Sequence, residues 1–600
     1  MQIKNKKGIL ALFALAAALT VALAAVPAAT VSAAGSDEIL WKDNFGGPVV
    51  DNFTGIASVP GGGYVAVGYS LEASFGSGNW SGATGKGDID AIIVKFDAGG
   101  NVVWATNFGG SGEDRFYGVT ATTDGGFVAV GHSEDTSFGN GDWFGISGKG
   151  NVDAIIVKFD ANGSIVWATN FGGLGGDYFF DVTAVPGGEL VAVGTSQDAS
   201  FGNGNWLGAT GKGNIDATFV KFNAGGSAVW TYNFGGSGED YFYGVTEVSG
   251  GGFVAVGVST DASFSTGSLL LNPGKGNADA IIVKFDATGS SVAGIYNFGG
   301  SGDEVFTGVT AASDGGFVAV GYAYDASLGT GDWTGLTEKG DIDATIVKFD
   351  ADCVAEWGYN FGGPDRNYFE GVTTTSEGRF IAVGYSEATS FGEKDWSGVS
   401  GNGGEDAIAV EFDPDGNISS AKNFGGSATD LFTGVTAVPD GFVAVGCSNQ
   451  FSFGNKDWSG FSGNGEDDAI IVKYGTFVLD ITGVPSLTTA GTTLTLAGTV
   501  EPDNASNQTI TWSVKDAGDT GATISGSTLS TPNAGTVVVT ATIVDGKSAG
   551  TPFTKDFTIT VMDSGSGGGG TNVLVWVAVG AIIAICAVIA LVLLRRKGVI

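Results

Sequence analysis

Between residues 45 and 475 the hydrophobic positions fall into short runs of β-branched and aromatic residues, each bounded by Gly, Asn or Asp. One stretch shows the pattern. Phe116–Ala121 leads through an Asp-Gly-Gly turn to Phe127–Gly131. A loop of about twenty residues with Ser137-Phe138-Gly139 and Trp143 follows. Ala154–Phe159, a turn at Asp160-Ala161-Asn162-Gly163, and Ile165–Thr169 complete it. Runs of this composition between turn residues predict four strands, with the two short turns making hairpins. The runs are nearly continuous in apolar residues, the signature of strands covered on both faces. None of them offers a helical period.

The stretch recurs. Asn-Phe-Gly-Gly appears with its Phe at 45, 108, 171, 234, 298, 361 and 424, a period of 63 residues with a single 64. A fixed period marks either a solenoid or a propeller. The last unit ends at Ala469-Ile470-Ile471-Val472-Lys473-Tyr474 without a fourth strand, while Ile39–Asn44, ahead of the first unit, matches the missing one. Completing the last sheet with that N-terminal strand closes a ring and removes the open edge; a solenoid would need polar caps instead. The expected architecture is all-β: a seven-bladed β-propeller over 38–475, closed by an N-terminal strand. Phe-Gly-Gly, Asp-Gly-Gly-Phe-Val-Ala-Val-Gly and Asp-Ala-Ile-Ile-Val-Lys-Phe-Asp resemble the SBBP-type β-propeller repeats of bacterial and archaeal surface proteins. The resemblance implies the fold and carries over no catalytic residue.

From 477 to 562 the period stops. Thr493–Val500, Thr509–Val514, Thr536–Ile543 and Phe557–Val561 alternate in the manner of half-buried strands. They predict a small β-sandwich with Trp512 in its core. The segment resembles the bacterial Ig-like domains that act as spacers. A Gly/Ser-rich tether (563–572) follows. Val573–Leu594 is a run without a charge, backed by Arg595, Arg596 and Lys597 (tail 595–600). That is the pattern of one C-terminal transmembrane helix with a cytoplasmic basic end, and no cytoplasmic domain is expected after it. Residues 1–34 combine Lys4, Lys6 and Lys7, an apolar run and small residues at Val31-Ser32-Ala33-Ala34, the form of a signal peptide. The reading is a single-pass cell-membrane protein with its ectodomain outside.

All 63 acidic residues but only 21 of the 27 basic ones lie between the apolar ends, a formal charge of −42 there. Such a body repels nucleic acid and anionic lipid, which excludes both as partners. Three cysteines (Cys353, Cys447, Cys586) provide no disulfide framework: Cys353 falls in a turn, and Cys447 near the opposite end of its strand. His132 is the one histidine, so no catalytic triad or histidine metal site can be assembled.

Three repeated positions are candidates for chemistry. Trp80, Trp143, Trp206, Trp333, Trp396 and Trp458 sit in the long loops, with Leu269 in the fourth unit. They are either exposed indoles that stack on sugars or dock a partner, or plugs in the seams between blades. Asp51, Asp114, Asp177, Asp240, Glu304 and Asp430, with Asn367 in the sixth unit, precede the first strand of each unit. They either face the axis and hold a hard cation such as Ca²⁺ as a cofactor, or accept hydrogen bonds within their own blades. Asp90, Asp153, Asp216, Asp279, Asp343, Asp406 and Asp468 open each third strand, where capping is expected. The long loops and crossovers share one face of the disc, making it the candidate binding face. No catalytic residue is assigned. The expected function is display of a propeller to an extracellular glycan or protein ligand; an extracellular carbohydrate-active enzyme and a structural envelope protein are the alternatives.

Overall fold

The computed structural model describes residues 38–565 apart from 186, 502–504 and 549–550. The signal (1–34) and membrane-span (573–594) readings therefore lie outside the described residues. Among the described residues no helix is long and apolar enough to cross a membrane. The chain divides into two units. Among the described residues, one comprises 38–477 with 505–506, the other 478–501 with 507–565.

The first unit contains seven four-stranded sheets, six of them meanders in chain order. In the first, Asp51–Ser58 is innermost, followed by Tyr64–Leu71, Ile89–Phe96 and Val102–Phe108. In the second, the strands run Asp114–Ala121, Phe127–Glu134, Val152–Phe159 and Ile165–Phe171, each longer than its apolar run because the flanking polar residues continue the ladder. The long loop is not free coil: it folds into two short 3₁₀ turns, Asp135–Ser137 and Gly141–Trp143. The seventh sheet takes its fourth strand from Glu38–Phe45, which pairs antiparallel with Asp467–Gly475 through Lys42↔Val472 and Phe45↔Ala469. A parallel bridge Val50↔Asp467 and a hydrogen bond from Thr433 Oγ1 to the Phe53 carbonyl (2.7 Å) then join the seventh sheet to the first. The sheets form a closed, propeller-like ring.

Each seam between sheets is a separate apolar cluster. Val65, Val67 and Ile93 of the first sheet pack against Phe116, Ala129 and Trp143 of the second, all buried. Strands with both faces covered this way have no polar face, which is why the sequence runs are continuously hydrophobic.

One irregularity repeats in all seven sheets. The register between the innermost strand and its neighbour slips by one residue after Phe53, Phe116, Phe179, Phe242, Phe306, Phe369 and Phe432. Each slip is a β-bulge, which re-aims one side chain and sharpens the local twist. The facing strand must accommodate it. At Gly131, the last residue of the Val-Ala-Val-Gly motif, a Cβ would fall inside the van der Waals shell of the Arg115 carbonyl oxygen. Replacing Gly131→Ala is therefore expected to lower stability by about 1–3 kcal/mol through overpacking, read as a fall in melting temperature. An unchanged melt would show that the bulge yields freely.

The second unit holds a four-stranded sheet built on the long pair Gly535–Ser548 and Thr551–Met562, a three-stranded sheet and a two-stranded one. Leu496, Leu529, Val537, Val539, Ile559 and Val561 form its core. Trp512 is half-buried against Phe557, so it borders this core rather than filling it. The alternating run 493–500 is not one strand. It divides into Thr492–Thr495 and Thr499–Glu501, with Leu496 turned into the core between them.

Candidate functional site

The repeated tryptophans are not an exposed ring. Trp80, Trp143, Trp206, Trp333, Trp396 and Trp458 are all at most 2% exposed. Each packs edge-on against the Phe of Asn-Phe-Gly-Gly, as Trp143 does on Phe108 with centroids 5.0 Å apart. The expectation of sugar-stacking indoles is corrected: the surrounding loop closes over each ring and leaves no face for a ligand.

The acidic positions form no axial cation ring either. Asp51 is fully buried, and its oxygens accept from Ser70 Oγ (2.5 Å), Ser74 Oγ (2.8 Å), Trp80 Nε1 (3.0 Å) and the Gly47 N–H (2.8 Å). Asp114, Asp177 and Asp430 repeat the arrangement with Trp143, Trp206 and Trp458. The oxygens of Asp51, Asp114, Asp177 and Asp430 are taken up by donors of their own blade, and Asp240 and Glu304 are held by the Gly236 and Gly300 N–H groups of their own crossovers, so the six carboxyls do not converge. No group of three potential ligands stands together among the described residues. The cluster instead ties the long loop and crossover to the innermost strand. Where it changes, atoms lose partners: in the fifth sheet Glu304 replaces Asp and Ala323 replaces the Ser, and Glu304 Oε2 and Trp333 Nε1 are unpaired. Burial pushes the Glu304 carboxyl up to about 7.

Asp90 and its equivalents cap the loop ahead of the third strand. Asp90 accepts the N–H groups of Lys86 (2.9 Å) and Gly87 (3.0 Å) and the Asn107 amide (2.5 Å). His132 is buried, stacked on Tyr117 with its Nε2 3.6 Å from Glu113. Cys353 and Cys447 are free thiols.

Two places break the repeat symmetry, and the sequence reading identified neither. The first is on the long-loop face. The residue after each buried loop anchor is Ser81, Thr334, Ser397 or Ser459 in four sheets, but Phe144, Leu207 and Leu270 in three consecutive ones. Phe144 is 84%, Leu207 81% and Leu271 90% exposed, with Leu174 and Leu270 exposed beside them in sequence and sheet order. The available signal was this switch from hydroxyl to apolar in sheets two to four.

The second is the axis. A cavity of about 460 Å³ is lined by the innermost strands of all seven sheets. The bulges aim into it Thr54, Tyr117, Phe180, Tyr243, Thr307, Glu370 and Thr433. The three threonines are scaffold: Thr54 donates to the Phe116 carbonyl (2.8 Å) and Thr307 to that of Phe369 (2.7 Å), stitching neighbouring strands. Tyr117, Phe180 and Tyr243 form a continuous aromatic wall, with centroids 5.5 Å and 5.4 Å apart. Asp181, where other sheets carry Gly, accepts the N–H groups of Val182 (2.8 Å) and Val245 (2.9 Å), and burial raises it to about 6. Glu370 accepts no hydrogen bond and pairs with no cation among the described residues; burial alone raises it to about 7.

No protein family matches the chain, and no curated protein does. Among solved structures, the Dos1 propeller is similar at 11% identity and a TM-score of 0.36, over 73% of this chain and 95% of that one. The extracellular domain of the putative one component system BT4673 from B. thetaiotaomicron is similar at 10% identity and a TM-score of 0.35, over 88% and 59%. YCF48 bound to D1 peptide is similar at 10% and 0.34, over 74% and 97%. Overlaps of this size carry no functional weight.

Proposed function

We propose that this chain is a membrane-anchored cell-surface binding protein. In this reading a seven-bladed β-propeller of the SBBP repeat type stands on an Ig-like spacer outside the cell, held by one C-terminal helix. Its long-loop face docks a partner protein. The observation that carries it is the exposed apolar arc Phe144, Leu207, Leu270 and Leu271 on three adjacent sheets. Exposed apolar side chains at equivalent positions of three adjacent sheets, on a strongly acidic body, mark an interaction surface. The burial of the tryptophans favours a protein ligand over a stacked glycan, and the surrounding negative charge favours a partner whose own apolar patch is flanked by basic residues.

The test replaces Phe144, Leu207 and Leu270 together with the serine found in three other sheets, then measures binding of the labelled protein to whole cells. Binding is expected to fall at least tenfold while the melting temperature holds, because these side chains cover nothing. Wild-type binding should also weaken with salt. Equal binding by the variant would remove the arc from the account.

One observation favours a second reading, an extracellular carbohydrate-active enzyme. Asp181 and Glu370 each occur in one sheet only, line the same cavity and hold raised pKa values. A glycosidase needs two working carboxyl groups. Both oxygens of Asp181 are occupied by backbone N–H groups, which leaves Glu370 alone and ranks this reading second. Release of reducing ends from a polysaccharide panel, abolished by Glu370→Gln, would reverse the order.

A further inference from the structure

The axial cavity is a site apart from the loop face, and its chemistry is specific. Four of its seven bulge positions depart from the threonine that stitches neighbouring strands, and they depart in two ways. Three consecutive sheets supply rings, Tyr117, Phe180 and Tyr243. The sixth supplies a carboxylate, Glu370, and the fifth adds Tyr322 from its second strand. Glu370 is half-buried on the cavity wall, where no lysine or arginine stands, and unlike Asp181 it spends its oxygens on no protein donor, so its carboxylate is left facing the cavity. Threonine in its place would make the bond seen at Thr54, Thr307 and Thr433, so this Glu is not needed to hold the ring.

We propose that the axial cavity binds a small organic ammonium ion, with Glu370 as its counter-charge and Tyr117, Tyr243 and Tyr322 as its aromatic surround. Aromatic faces attract cations through their quadrupole, most strongly where water is excluded. An ammonium paired with a carboxylate also gains a charge-assisted hydrogen bond or close contact. The cavity, about 460 Å³, falls within the range of small-molecule sites. The acidic body concentrates cations at its mouths, whereas it would oppose entry of an anion. Asp181 contributes negative charge on the same lining, but its oxygens stay on the N–H groups of Val182 and Val245. A metal ion is the poorer fit, because a hard cation wants several converging oxygens and the cavity offers one free carboxylate.

The experiment titrates the full-length protein in detergent with choline and, separately, with ethanolamine, by calorimetry. The control is 3,3-dimethyl-1-butanol, the uncharged carbon analogue of choline. Saturable binding of at least one ammonium probe, with the neutral analogue at least tenfold weaker, is expected. Glu370→Gln should lose at least tenfold in affinity while melting no lower than the wild type, since it removes a charge that pairs with no protein group; Glu370→Asp should recover part of the loss. Absence of saturable binding by both probes, equal binding of the neutral analogue, or unchanged affinity in Glu370→Gln would each overturn the proposal. The serine variant of the loop face should keep the ammonium site intact, so the two sites succeed or fail independently.

Discussion

Deleting Glu38–Phe45 is expected to unfold the ring rather than trim it. The strand is the fourth member of the seventh sheet, and Phe45, 2% exposed, packs on Trp80 (4.9 Å between centroids) and Phe53 (5.9 Å) of the first sheet. Its loss removes apolar contacts on both sides of the closing seam. It also leaves the Asp467–Gly475 edge without a partner, a template for aggregation. The side chain alone supports a milder version: Phe45→Ala should cost about 3–5 kcal/mol, the usual range for emptying a buried Phe site. Denaturant melts and size-exclusion chromatography read both effects. The deletion should give aggregated or unfolded protein, and the point variant a cooperative unfolding curve shifted to lower denaturant. A deletion mutant that melts like the intact chain would mean the ring holds without its closure.

Acidification should stabilise this protein, the reverse of the usual behaviour of a carboxylate-rich fold. Burial pushes Asp90, Asp240, Asp343 and Asp430 up to about 6 and Glu304 up to about 7, with desolvation the largest cause in each. In the unfolded chain these groups titrate near 4, so between pH 4 and 7 the folded state holds more protons. Stability from these groups is fully present below about pH 4 and is lost as pH rises through about 6–7. A shift of about two units corresponds to roughly 3 kcal/mol per group, and relief of the −42 charge acts in the same direction. Salt-bridged acids oppose this only at lower pH: Asp124, held down by Lys158 and Thr122, keeps its charge until the solution is more acidic than an ordinary carboxylate requires. Calorimetry from pH 4 to 8 should therefore give the highest melting temperature at the acidic end of the range, near pH 4, and a decline of several degrees by pH 8. A maximum at pH 7–8 would show that the donors around these carboxylates outweigh their burial.

The sequence by itself determined the unit of the fold. The 63-residue period, the turn residues and the continuous apolar runs specify four-stranded sheets, because strand and turn propensities act locally and a strand covered on both faces has no polar side to hide. The match of Ile39–Asn44 to the absent last strand identified the closing segment for the same reason. Burial was another matter. Trp143 and Phe144 are adjacent and both large, yet one is sealed against Asp114 and the other is 84% exposed. Which of them faces inward depends on a 3₁₀ turn held by Gly109 of the crossover and Asp114 of the innermost strand, both distant in sequence. Nor could the chain alone reveal that the residue after each inner Phe turns to the axis. Alternation would place Tyr117 or Glu370 on a seam face or the solvent side. A bulge, set by the glycine of the neighbouring strand, aims it into the cavity instead. Composition and local pattern fixed the sheets. The long-range pairing of those sheets decided which of their side chains a ligand can reach.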